Sequence, residues 1–342
     1  MFELNKLVRS NILSLQPYSS ARDEFQGKEG VFLDANENPF GELNRYPDPH
    51  QIELKTELSK LKSVALDSIF IGNGSDEIID LAFRIFCAPE KDNVIICPPT
   101  YGMYEVSANV NDVRVISIPL VENFQLNIEE ILQTDAKIVF ICSPNNPTGN
   151  TINNIERLLE KFNGLVFLDE AYIDFSSQIS YVTLLNKYPN LLISQTLSKA
   201  WGLAAARIGI LYASKEIIAL FKKVKPPYNV SLPNQQAAIT ALRNVKDFEK
   251  NVAEIKIQKS ELITALNNLQ IVKTIFPSDA NFVLVEFDNA SAIYKLLVSK
   301  QIITRNRSSL IHNCIRITVG TAQENNKLIN ELNLINEKGT FY

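Results

Sequence analysis

The sequence predicts an α/β protein: a mostly parallel, doubly wound sheet with helices on both faces, followed by a smaller α+β unit. Three observations carry that prediction. Short apolar runs alternate with helix-period stretches from residue 50 to residue 194, the pattern of parallel strands joined by crossover helices. Three of those runs, 137–142, 165–168 and 191–194, end by delivering polar groups. After Pro226-Pro227 the order changes to a long helical stretch and then short strands. The 342 residues thus divide into an N-terminal segment 1–30, a large α/β unit 31–229 and a small α+β unit 230–342.

Each element has its own warrant. The first 30 residues look irregular and end in a polar stretch, 19–30, expected to cover a site rather than pack as core. Residues 50–62 form a helix by spacing, since Ile52, Leu54, Leu58 and Leu61 are apolar and the rest polar. Strand 69–71 enters Gly72-Asn73-Gly74-Ser75-Asp76-Glu77, and an apolar helix, 78–86, leaves it. Strands 93–97 and 113–118, helix 128–133 and strand 137–142 follow. Asn127 and Asn153 stand three residues before Glu130 and Glu156, a capping-box spacing that marks two helix starts. The small unit reads as a helix over about 234–269, strand 281–287, helix Ala290–Ser299 and strands 302–304 and 314–318. Its last helix opens on Thr321 and Glu324, again at capping-box distance.

Composition narrows the function classes. Hydrophobic residues at 46% and charged residues at 21% are ordinary for a soluble globular protein. A net charge of -4 gives no reason to expect nucleic acid or an acidic membrane as partner. No apolar run approaches the roughly 20 residues of a membrane helix, and residues 1–20 lack a signal-peptide core. The cysteines at 87, 97, 142 and 314 show no Cys-x-x-Cys spacing and are expected to be reduced, buried thiols of a cytoplasmic protein. With two histidines only, His50 and His312, a histidine-ligated metal or a serine–histidine hydrolase is disfavoured, and no metal is expected.

The polar strand ends carry the chemistry. A free lysine is neutral in about one molecule in two thousand at pH 7, so a lysine used covalently must be desolvated or set among cations. Lys199 follows the run 191–194 by a short turn, and both Ser198 and Arg207 can reach a phosphate. Asp169 ends a run with no other charge; it suits a protonated pyridine nitrogen, or else a helix N-cap. Tyr172, three residues on, and Asn146, in Asn145-Asn146-Pro147-Thr148-Gly149, can meet one phenolic oxygen from two sides. A plain structural turn explains the Asn-Pro-Thr-Gly piece equally well on its own. The amides of Ser75 and Asp76 open a helix after Gly72-Asn73-Gly74 and form a phosphate cradle. A dinucleotide fingerprint fails there, because Glu77 occupies the sixth position. Tyr101 follows another strand end and can stack on a ring face, or pack as core. Arg316 lies inside the apolar run 314–319, where a charge needs a partner: a ligand carboxylate or phosphate, or a structural ion pair. Arg305 and Arg307 flank it across a short loop. Amine, carboxylate, amide and guanidinium gathered at strand ends are what pyridoxal 5'-phosphate requires.

Together these pieces resemble the aspartate-aminotransferase-like superfamily, and within it the histidinol-phosphate aminotransferases. The likeness rests on Leu33-Asp34-Ala35-Asn36-Glu37-Asn38-Pro39, Arg45-Tyr46-Pro47-Asp48-Pro49, Pro99-Thr100-Tyr101-Gly102-Met103-Tyr104, Ser143 to Gly149, Asp169 to Tyr172, Thr196 to Lys199 and Arg316 to Thr321. Leu15-Gln16-Pro17-Tyr18 adds to it. The resemblance implies a homodimer with shared active sites and reversible amino transfer in histidine biosynthesis, between histidinol phosphate or imidazole-acetol phosphate and glutamate or 2-oxoglutarate. It implies that Tyr46 reaches the cofactor phosphate of the other subunit and that Tyr18 closes over substrate. Asn36 and Tyr228 would lie at the substrate side, and Arg316, with Arg305 near it, would take substrate anions. Aromatic aminotransferases and threonine-phosphate decarboxylases share the pattern and stay open as alternatives. A cofactor-binding regulator without catalysis is the rival from another class, and usually carries an added DNA-binding segment. Trp201 and Ala205-Ala206 depart from the residues usual in that family, on the turn between Lys199 and Arg207.

Overall fold

A computed structural model describes residues 3–18 and 30–338. The large sheet holds β1 (Ile69–Asn73), β2 (Asn93–Ile96), β3 (Arg114–Ser117), β4 (Ile138–Cys142), β5 (Leu165–Asp169), β6 (Leu191–Thr196) and β7 (Ile208–Tyr212), in the order β1-β7-β6-β5-β4-β2-β3. Strand β7 runs antiparallel to both neighbours and all other pairings are parallel. Strands β4 to β7 are buried along their whole length, which is why they read as continuous apolar runs.

Helices cover both faces. On one lie α3 (Ile52–Lys62), α6 (Ile128–Gln133), α7 (Ile155–Lys161) and α9 (Leu232–Arg243), burying Leu54, Leu58, Ile131, Leu158 and Leu242. On the other lie α4 (Ser75–Phe86), α5 (Met103–Val110) and α8 (Lys215–Val224), with Phe83, Phe86 and Phe221 against Phe140 and Phe167. Two short helices, α1 (Leu4–Leu7) and α2 (Ser10–Ser14), stand where irregular chain was expected. They dock Val8 and Ile12 on that second face, and the Arg9 amide donates to the Ile85 carbonyl at 3.0 Å. Residues 19–29 of the expected covering stretch lie outside the described residues.

The small unit has its own antiparallel sheet, ordered β10-β11-β9-β8: β8 (Val272–Phe276), β9 (Phe282–Phe287), β10 (Arg305–Asn306) and β11 (Cys314–Thr318). Helices α10 (Val245–Asn267), α11 (Ala290–Ser299) and α12 (Ala322–Lys338) flank it over a core that includes Leu262, Val285, Ile293 and Leu328. Among the described residues, no helix is long and apolar enough to cross a membrane.

Several expected elements are corrected. The helix expected over 78–86 begins at Ser75, because β1 continues to Asn73 and Gly74 alone makes the turn. The helix expected over about 234–269 is two helices, α9 and α10, broken at Asn244. No strand forms over 302–304: the Ile302 amide closes the end of α11 on the Leu297 carbonyl, and pairing starts only at Arg305, opposite Arg316. Asn154, at φ 60°, holds the N-cap position of α7 without a side-chain bond, and Asn153, expected there, has its amide donating to Gln125 Oε1 at 2.9 Å. Asn127 and Thr321 do cap their helices, each with its glutamate in return contact. Helix α9, which the sequence reading places in the small unit, packs Ala238, Ile239 and Leu242 into the core of the large sheet.

Candidate active site

Register brings the polar strand ends to one edge. Cys142 pairs with Asp169, Asp169 with Ser194, Thr196 with Gly209, and Asn73 with Ile208. Because β7 alone is reversed, its start, just after Arg207, lies level with the carboxyl ends of its parallel neighbours. That edge is where ligands bind in open α/β sheets. A cavity of about 400 Å³ opens there, lined by Ser75, Asp76, Tyr101, Asn146, Asp169, Tyr172, Ser198, Lys199, Arg207, Arg305 and Arg316. Arg307, Cys142, Ala171 and Thr196 complete the wall.

Lys199 sits on a turn braced by Thr196, whose hydroxyl donates to the Ile208 carbonyl and accepts from the Ser198 amide, each at 3.1 Å. The lysine side chain is open to the cavity, yet the protein around it desolvates the amine and lowers its pKa; Arg316 pushes the same way and Asp169 opposes. Its Nζ stands 5.6 Å from the centre of the Tyr172 ring. Asp169 is buried, and burial pushes its carboxyl up to about 6 against the donors that hold it. Those donors are the Tyr104 hydroxyl to Oδ2 at 2.8 Å and the Ala171 amide to Oδ1 at 3.1 Å. Only a 3-10 turn, Ile173–Phe175, follows, so the helix N-cap reading of Asp169 gives way to a carboxylate facing a cavity.

Asn146 has its orientation set by Arg316, whose Nη1 donates to Oδ1. The Nδ2 group is thereby the donor that faces the cavity. Next to it, Asn145 donates to the Pro99 carbonyl at 2.9 Å and accepts from the Thr100 hydroxyl at 2.9 Å. This staple ties the loop that carries Tyr101 to the turn that carries Asn146.

At the other end, α4 begins behind Gly74, whose φ of +80° suits glycine. A Cβ there would meet Arg207 Nη2 at 2.6 Å. Arg207, itself left-handed at φ 51°, leaves the turn Ala204–Ala206 and donates to the Ala204 carbonyl at 3.2 Å. It also donates to Asp76 Oδ2 at 3.3 Å, while the Tyr101 hydroxyl donates to Asp76 Oδ1 at 3.1 Å. Trp201 stacks on Phe248 of α10 at 3.9 Å. The unusual residues of this turn are accommodated with Arg207 still in the cavity wall.

Arg316 faces Arg305 across the β10–β11 pairing. Among the described residues no carboxylate lies within ion-pair distance of Arg305, Arg307 or Arg316. The Nε atoms of Arg307 and Arg316 are buried without a hydrogen-bond partner. Burial depresses both guanidinium pKa values. A structural ion pair therefore does not explain Arg316; its partner is the neutral Asn146 amide. Sequence reasoning gave Arg307 no firm role, although its spacing of two from Arg305 is the available signal. It named Tyr104 only as part of the piece 99–104 and gave it no role.

Four expected residues do not line this cavity within one chain. Tyr18 is 74% exposed. Asn36, Tyr46 and Tyr228 line a second cavity of about 510 Å³, in which the two tyrosine rings stack at 4.2 Å and 12°. Among the described residues, no group of three or more histidine, cysteine, aspartate or glutamate side chains is placed to hold a metal ion.

The family description "aminotransferase class I and II" matches residues 20–332. The chain is 50% identical to a histidinol-phosphate aminotransferase from Cytophaga hutchinsonii, over 97% of this chain and 99% of that one. It is 52% identical to one from Bacteroides thetaiotaomicron, over 96% and 98%. Its fold matches the crystal structure of the histidinol-phosphate aminotransferase from Clostridium acetobutylicum with a TM-score of 0.79 at 27% identity, over 86% of this chain and 92% of that one.

Proposed function

This chain belongs to the class I and II aminotransferases, and we propose that it is a histidinol-phosphate aminotransferase, moving an amino group reversibly between L-histidinol phosphate and 2-oxoglutarate with pyridoxal 5'-phosphate. The observation that carries this reading is the trio Arg305, Arg307 and Arg316, which lines the Lys199 cavity with no acidic partner among the described residues. Arg305 is exposed, but Arg307 and Arg316 are partly buried with their Nε atoms unpartnered, and desolvated guanidinium groups without an anion are costly. They call for a ligand with about two negative charges, which a phosphate monoester carries near neutral pH and glutamate carries as two carboxylates. Phenylalanine offers a single carboxylate and would leave part of the trio unanswered. The identity of about half over nearly the full length of the relatives supports the same substrate.

The residues fit the cofactor. A glycine-made cradle at the start of α4 lies at one end of the cavity, and the buried Asp169 carboxylate and the Lys199 amine line it. When bound, pyridoxal phosphate supplies an aldehyde carbon that receives the amino group and a ring that withdraws electrons. Lys199 is the anchoring amine, and its Nζ moves the proton at the substrate α-carbon. Asp169 holds the proton on the pyridine nitrogen. The Asn146 amide and the Tyr172 hydroxyl bind the phenolic oxygen, and Tyr101 packs on the ring face. The amides of Ser75 and Asp76, the Ser198 hydroxyl and the Arg207 guanidinium hold the phosphate, the last by exchanging Asp76 for it. Arg316 and Arg305 bind the substrate anions, with Arg307 beside them.

The second cavity belongs to a homodimer in this reading. Val31, Leu33 and Phe40 are exposed by 88%, 89% and 81% in the same segment as Tyr46, an apolar surface that needs a cover. A second copy supplies it, so that Tyr46 of each subunit reaches the phosphate held by the other, while Tyr18, Asn36 and Tyr228 complete the substrate side. Four free, buried cysteines suit a cytoplasmic setting. Steady-state turnover with 2-oxoglutarate as acceptor tests the assignment. Histidinol phosphate should exceed phenylalanine in kcat/KM by roughly 100-fold or more, about 3 kcal/mol in transition-state binding. Equal rates, or release of carbon dioxide from threonine phosphate, would overturn it.

A further inference from the structure

We propose that Tyr104 is a positioning residue of this site: its hydroxyl holds Asp169 Oδ2, keeping that carboxylate ionised and aimed into the cavity. The inference rests on the role given above to Asp169. Tyr104 is fully buried on α5, and its ring is fixed between two others, edge-on to Tyr101 at 5.5 Å and stacked on Phe140 at 5.2 Å. The ring has nowhere to swing, so the hydroxyl points where the packing aims it. Its distance of 2.8 Å to Oδ2 is that of a strong, charge-assisted bond.

The geometry fixes both carboxylate oxygens. Oδ1 takes the Ala171 amide from the turn that follows β5, and Oδ2 takes the tyrosine from behind the sheet. Burial and the neighbouring Asp169 charge keep the phenol well above its usual pKa. It is therefore a donor throughout the working range and does not compete as an acid. A phenylalanine would fill the same space, so core packing alone does not require the oxygen. The hydroxyl opposes the cost of burying the Asp169 charge. Without it the carboxylate takes up a proton at higher pH and loses its fixed direction.

The full-length chain stripped of cofactor, titrated with pyridoxal phosphate across pH 5 to 9, gives the test. Affinity should fall as acid protonates Asp169. In Tyr104→Phe that fall should begin about half to one pH unit higher, with kcat several-fold lower and KM for histidinol phosphate unchanged. Tyr104→His, which returns a donor on a smaller ring, should recover part of the shift, whereas a packing role would make histidine worse than phenylalanine. In an Asp169→Asn background, Tyr104→Phe should add nothing. A profile unchanged by Tyr104→Phe in folded protein, or an effect that persists beside Asp169→Asn, would overturn the proposal. If Asp169→Asn alone leaves cofactor affinity untouched, the reading of Asp169 fails instead.

Discussion

Lys199 and Asp169 share one cavity, and burial acts on them in opposite senses, making the amine less basic and the carboxyl less acidic. For the amine this is an advantage, since a larger neutral fraction is nucleophilic at neutral pH. Lys199→Ala should lower multiple turnover by about 10²–10⁴-fold or more while the protein still takes up pyridoxal phosphate, as rapid-mixing and absorbance measurements will show. For the carboxylate, burial is a standing cost. Its folded-state value of about 6 lies above the ordinary 3.8, so the folded protein holds this proton more tightly than the unfolded chain. That contribution to stability is complete below about pH 4 and is lost as pH rises through 6. Two pH units correspond to about 3 kcal/mol as an upper figure. Cofactor-free Asp169→Asn should thus unfold at higher denaturant than the parent at pH 8, by about 1–3 kcal/mol, and the gap should close near pH 4. A gap independent of pH would contradict this account of the carboxylate.

At the scale of elements, the phosphate end depends on a close approach between β7 and the start of α4. A Cβ on Gly209 would lie 2.3 Å from the Gly74 carbonyl carbon, which is backbone and cannot swing aside. Gly209→Ala should weaken cofactor binding by about tenfold or more, ~1.4 kcal/mol, and lower the thermal midpoint by roughly 4 °C or more; fluorescence titration and calorimetry read both. Strand β7 is also where the sequence was least legible. Residues 208–212 are apolar with a glycine second, and nothing local marks the reversal that brings Arg207 to the site edge. The strands that end in Cys142, Asp169 and Thr196 were legible because burial on both faces leaves continuous apolar runs, each stopped by a polar residue. The break at Asn244 was not, since helix period continues on both sides of it. Lys199, Asp169 and Asn146 were readable from their place after strands, and Arg207 from standing eight residues beyond Lys199. Tyr104 was hidden because a tyrosine in the first turn of a helix looks like core until its oxygen is seen at Asp169. Arg305 and Arg307 were legible only as neighbours of Arg316; the fold sets β10 against β11 and brings both into the cavity wall.

At the scale of the whole molecule, the Lys199 cavity lies where the two sheets meet, with Asn146 on one unit bonded to Arg316 on the other. A second tie lies nearby: the Asp279 amide donates to the Gly149 carbonyl at 2.7 Å, and the Thr151 hydroxyl donates to Asp279 Oδ2 at 3.1 Å. Tyr46 and the exposed segment around it stand outside that cavity, on a surface suited to a second copy. Sedimentation should accordingly give twice the mass of one chain. Mixing Lys199→Ala with Tyr46→Ala protein, each nearly inactive alone, should restore about a quarter of the parent activity, because half the pairs are mixed and each has one complete site. No recovery after subunit exchange would contradict shared sites. In the proposed function one lysine anchors pyridoxal phosphate at the carboxyl edge of the large sheet. Borohydride reduction of the loaded protein, followed by peptide mapping, measures it most directly. The label is predicted on Lys199 alone, one per chain; a label on any other lysine, or none, would contradict the account.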